Sequence, residues 1–152
     1  MSAIQAPAVA AEPRRRWKQR HLLLIPGLAV GVLASTLASQ HGLGLLPLLV
    51  FGILPHLSVL AGIGQPHVRG QLAPRAVPLF NAMHYPPLPL AVAALGAAGV
   101  LSPFWLVGAL AWLAHIVVDW ALGDGLRSAN GFLLGPVGRM IGIGAVPVRQ
   151  ER

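Results

Sequence analysis

Four apolar runs dominate the chain: "LLLIPGLAVGVLASTLAS" (22–39), "LGLLPLLVFGILPHLSVLAGIG" (43–64), "LFNAMHYPPLPLAVAALGAAGVL" (79–101) and "FWLVGALAWLAHIVVDWAL" (104–122). Each approaches or exceeds the ~20 residues that cross ~30 Å of hydrocarbon. Charged residues are 10% of the 152, against roughly 25% in a typical globular protein. A soluble chain with so little charge could not coat its own surface. The implied fold is all-α, a polytopic membrane four-helix bundle.

The distribution of charge sets the topology. Of eleven Lys and Arg, five (Arg14, Arg15, Arg16, Lys18, Arg20) precede the first run, two (Arg69, Arg75) lie in the middle connection, and four (Arg127, Arg139, Arg149, Arg152) follow the last run. The turns at 40–42 and 102–103 carry none. Basic residues stay on the cytoplasmic side, so four spans with both ends inside put all eleven there. Three or five spans would not. The pattern argues against nucleic acid as the partner of the +7 charge and for anionic lipid beside Arg14, Arg15, Arg16, Lys18 and Arg20. The expected location is a bacterial inner membrane, and the other partners expected are further copies of the chain or a larger membrane complex. There is no cysteine, which removes disulfides, thiolate metal sites and thiol nucleophiles.

Three regions follow. Residues 1–21 are expected to be a disordered, basic N-terminus. Residues 22–126 form the membrane domain, with spans near 22–39, 43–64, 82–101 and 103–122. Residues 127–152 form a cytoplasmic or interfacial tail. The first run also has the basic front and small-residue end of a signal peptide, but is read as a retained anchor. Its "GLAVG" is a small-xxx-small pattern suited to close helix packing. The third run is apolar only from Pro86, and sixteen residues there reach ~24 Å. A break is expected at Pro86 and Pro87. The stretch "GFLLGPVGRMIGIGAVPV" (131–148), interrupted by Gly, Pro and Arg139, is expected to be interfacial or re-entrant and not a fifth span.

Polar residues inside the spans are the candidate site. Counting 1.5 Å per residue from the inner ends brings His56, Asn81, His84, His115 and Asp119 to one layer near the cytoplasmic leaflet. His115 and Asp119 share a helix face at i,i+4, and Asn81 and His84 at i,i+3. An Asp facing lipid costs ~2.5–3.5 kcal/mol on insertion scales, so the group is expected to point inward. Three uses remain open. The residues act as inter-helix hydrogen-bond glue at ~0.6 kcal/mol each; or His84, His115 and Asp119 ligate a divalent metal; or the cluster serves a proton, a haem or a chlorin. His21, His41 and His67 are expected to be solvated, and Trp105 and Trp120 to be interface anchors. No phosphate-loop lysine and no nucleophile elbow is present.

The stretches "PHLSVLAG", "RAVPLFNAMH" and "LAHIVVDWALGDGLRSANGF" resemble, in order and spacing, a family of small bacterial integral membrane proteins, domain of unknown function 4260. The resemblance covers about 22–132 and rests on Asn81, His84, His115, Asp119, Gly123, Gly125 and Leu126. It implies Asp at the position of His56, Tyr at that of Asp124, and a Lys-Asp-Thr-His stretch where this chain has "LLGPVG". Those departures remove an Asp and a His that a metal site would use. Binding or structural use is therefore expected ahead of turnover, with pairing retained and metal lost. A looser similarity, through His and Asp on adjacent spans, is to membrane-bound metal-dependent hydrolases, and it is analogy only.

Overall fold

The computed structural model describes residues 21–134. The basic cluster at 14–20, its lipid contact, and the tail from 135 onward, with most of the expected re-entrant segment, lie outside the described residues. The described chain is all-helical. After a 3-10 turn at His21–Leu23 come α1 (Leu24–Gln40), α2 (Leu46–Leu57), α3 (Val77–Met83), α4 (Pro87–Ala97) and α5 (Pro103–Leu122). Two stretches, His21–Gln40 and Pro103–Leu122, are long and apolar enough to cross a membrane. A 3-10 segment, Ser58–Gly62, extends α2. The proline at 55 inside α2 has no N–H for the preceding turn, and the helix tightens three residues later.

The third run differs from the expected 82–101. Its helical part begins at Val77, stops at Met83, and resumes only over Pro87–Ala97. Pro86 and Pro87 disfavour α geometry in the residues before them, and His84 takes φ −107° as the cap of α3. The chain thus breaks beside His84, and α4 ends before a turn at 98–102.

Helix α5 is the centre, and α1, α2 and α4 pack on it. Gly27 lies against Val117 and Val118, and Gly31 against Ala114, so α1 runs antiparallel to α5. The absent side chain at Gly27 lets the backbones approach, while a Cβ at Gly31 would meet only the Ala114 methyl at 3.9 Å, so the first glycine of "GLAVG" carries the close packing. Gly96 approaches the Leu106 backbone, making α4 antiparallel as well. Helix α2 runs parallel to α5: Phe51 fills the space a side chain at Gly108 would take, and His56 meets His115 further along. Phe51 stacks edge-on against Phe104 and Trp105 at 6.0 and 5.7 Å. With Ala34, Ala111, Trp112 and Ile116 it forms the core. Elsewhere the helices turn Leu, Ile and Val outward, among them Ile25, Leu28, Val32, Leu49 and Ile53.

The two ends of this array differ. One carries the turns at 41–45 and 98–102. The other gathers the start of α1, the 63–76 connection and the 123–134 loop. That loop is held on the connection by Leu72 N–H donating to Gly131 O at 2.9 Å and by Gln71 Nε2 donating to Asn130 O at 2.8 Å. Gly123, with φ +95°, closes α5. The Asp124 and Gly123 N–H groups then bond back to the Asp119 and Trp120 carbonyls at 2.8 and 3.1 Å, a Schellman ending that needs the left-handed residue.

Candidate metal centre

Four side chains from three elements converge near the loop-bearing end. His115 and Asp119 stand one turn apart on α5, His56 comes from α2, and His84 is the cap of α3. His84 is 1% and Asp119 8% exposed; His115 is half-buried and His56 exposed. Asp119 Oδ2 lies 3.3 Å from His84 Nε2 and 3.3 Å from His115 Nε2. The two imidazole nitrogens are 3.5 Å apart. One ligand atom of each of the four residues lies within 4.8 Å of the others. His56 reaches the group edge-on, its ring centroid 4.5 Å from that of His115.

The protonation of His84 follows from its partners. The Phe80 carbonyl accepts both the His84 backbone N–H at 3.0 Å and Nδ1 at 2.8 Å. A carbonyl only accepts, so Nδ1 carries the hydrogen, and Nε2 is the nitrogen turned to Asp119. Such a backbone bond to the far nitrogen is how ligating histidines are commonly oriented. Nε2 and the Asp119 carboxylate face each other at 3.3 Å. Asp119 Oδ2 is buried, and its contacts to the two imidazoles miss hydrogen-bond alignment, leaving it with no hydrogen-bond partner. A cation between the three atoms, whether a proton or a metal ion, gives Asp119 Oδ2 the partner it lacks.

The dimensions suit a metal. An ion ~2.0–2.1 Å from each nitrogen and oxygen of a tetrahedral set separates its ligands by about 3.3–3.4 Å. The observed edges are 3.3, 3.3 and 3.5 Å. Two imidazoles and a carboxylate are also the donors that borderline divalent ions take.

The Asn81 amide is engaged with the loop after α5. Its Nδ2 donates to Arg127 O, and its Oδ1 accepts the Arg127 N–H, both at 2.8 Å. A primary amide matches the main-chain N–H and C=O of a single residue, and the loop after α5 supplies them at Arg127, just where α3 ends. Asn81 therefore fastens the helix that carries His84. Sequence reasoning missed three contributors. Trp112 Nε1 donates to Met83 O at 2.6 Å, tying α3 to α5 beside His84. The Phe80 ring stacks on the His84 imidazole at 3.9 Å. The Arg127 guanidinium lies 5.7 Å over that same ring, anchored by Nη2 donating to Asp124 Oδ1 at 2.6 Å. A Trp three residues before a His on one helix is a usable hint, but an indole needs a visible acceptor before it means anything. His21, His41 and His67 are exposed, and Trp105 is 45% exposed.

A family profile matches residues 20–140. The chain belongs to that family, described as Domain of unknown function (DUF4260). No curated protein and no solved structure matches it. Within this family member, replacing Asn81 by Ala tests the fastening role. It leaves the Arg127 peptide unpaired at a cost of about 1–3 kcal/mol. With zinc added to occupy the triangle, the affinity is expected to fall 10–100-fold, as for other groups that orient ligands. Unchanged affinity in a chelator competition titration would show that His84 needs no such support.

Proposed function

We propose that this is a multi-pass membrane protein that binds a divalent metal ion, zinc being the best match, through His84, His115 and Asp119. Four helices cross the membrane with both ends cytoplasmic, and His56 stands as an outlying fourth donor. The triangle of Nε2, Nε2 and Oδ2 atoms with 3.3–3.5 Å edges carries the reading. The departure at position 56 weighs less than the sequence suggested, because imidazole is itself a ligand and His56 reaches the cluster. The mixed polarity of the two ends supports the topology: Arg69, Arg75 and Arg127 all belong to the loop-bearing end.

Purified in detergent and loaded with zinc, the full chain is expected to keep about one equivalent through gel filtration, as measured by elemental analysis. Less than a tenth of an equivalent would sink the reading. Reporter fusions after Arg75 are expected to read cytoplasmic and those at Ser102 external. An external Arg75 would invert the array.

A second reading, hydrolysis, is favoured by one observation. Three donors lie within 3.5 Å of one another while His56 stands further out and exposed, which leaves the fourth coordination position to His56 or to water, the latter as in hydrolytic sites.

A further inference from the structure

Between α1 and α2, on the side of α5 that carries His115, runs an open apolar groove of about 700 Å³. Small-molecule sites occupy ~300–1,000 Å³. Small residues create it: Gly31 and Ala34 on α1, Gly52 on α2, Ala111 and Ala114 on α5. A Cβ at Gly52 would meet nothing within 4 Å, and one at Gly31 only the Ala114 methyl at 3.9 Å. These two glycines leave room where Gly27 closes it. The hydroxyls of Ser35 and Thr36 are spent on their own helix, donating to Gly31 O and Val32 O at 2.9 and 3.0 Å. The groove's remaining polar side chain is His115, whose Nε2 faces Asp119. Gly52 also stands one helical turn before His56, on the same face of α2.

We infer that this groove takes an anionic single-chain amphiphile from the bilayer, its alkyl chain between α1 and α2 and its anionic oxygen at the metal. The inference rests on the metal reading. A divalent ion held by one carboxylate and neutral imidazoles keeps a positive charge, and an uncompensated charge in an apolar setting is costly. An anionic head group neutralises it. The walls ahead of His115 offer apolar surface alone, which selects a hydrocarbon chain over a soluble anion. Carboxylate and phosphate heads share this chemistry.

The test uses the full chain, loaded with cobalt(II) as a spectroscopic stand-in and placed in nanodiscs of neutral phosphatidylcholine. Cobalt content is measured before any amphiphile is added. Palmitate and monododecyl phosphate are then titrated separately, with acetate as the control. At least one amphiphile is expected to shift the visible cobalt bands saturably, and acetate at equal concentration to leave them unmoved. The arm that responds identifies the head group. Gly52→Leu, placed in open space, is expected to keep its cobalt and bind at least about ten-fold more weakly, a change of 1.4 kcal/mol. A cobalt-loaded protein whose spectrum ignores both amphiphiles overturns the inference and leaves the metal reading standing. So does a Gly52→Leu protein that binds as tightly as wild type, or one whose only change is oligomeric state, which would make the groove an interface between copies. Wild type that takes up no cobalt fells the metal reading, and this inference with it.

Discussion

Replacing Asp119 by Asn is expected to lower zinc affinity by at least about 100-fold with little change in thermal stability. The two side chains have nearly the same shape, so the packing around position 119 survives. The amide is neutral, however, and a weak ligand beside a carboxylate. Losing a directly bound donor costs more than the 10–100-fold typical of groups behind the ligands. Asp119→Ala should lose zinc equally and stability further, because it also opens a space beside His84 and His115. The pair of variants separates metal from glue. Under a purely structural role Asn keeps the hydrogen bonds, and zinc content in wild type and both variants is alike. Chelator competition and a detergent melting curve give both quantities on one preparation, and equal zinc affinity in Asp119→Asn would remove Asp119 from the ligand set.

Gly131→Ala is expected to detach the loop after α5 from the 65–76 connection. Gly131 has φ +83°, and a Cβ there would land on the Leu72 carbonyl oxygen. The left-handed conformation costs a non-glycine residue about 1–2 kcal/mol, and the collision adds about 1–3 kcal/mol of overpacking. Helix packing need not yield, since local opening costs less than global unfolding. The loop should release first, with the Leu72–Gly131, Gln71–Asn130 and Asn81–Arg127 hydrogen bonds. Hydrogen exchange over 68–76 and 126–134 should accelerate while α5 stays protected. Zinc affinity should fall in step with that of Asn81→Ala, because both changes free the end of α3. Unaltered exchange in those segments would mean that the loop is not held as described.

How much of this was legible differs between fold and site. The apolar runs foretold the helices of α1, α2 and α5, since length and composition alone decide which stretches suit hydrocarbon. The run at 79–101 showed its break through Pro86 and Pro87, but not where its helices begin and end. Those ends depend on His84 capping α3 and on a turn before Ser102, neither of which periodicity reports. Depth counting along the helices brought His56, His84, His115 and Asp119 to one layer. The same counting could not show that the Asn81 amide bonds Arg127, because depth says nothing about which way a side chain turns around its helix.

Sequence by itself determined the all-helical class, the separation of basic loops from charge-free turns, and the set of polar groups that must find partners in an apolar setting. These rest on composition and on distance along the chain. Only the tertiary structure decided that α5 is the central helix, that Asn81 pairs with the main-chain N–H and C=O of Arg127, and that two imidazoles and a carboxylate meet at ligand spacing. Those outcomes depend on rotation about helix axes and on the packing of Gly27, Gly96 and Gly108 against their neighbours. Close approach at those glycines sets the helix separations to a fraction of an ångström, and such separations decide whether three donor atoms can share one ion.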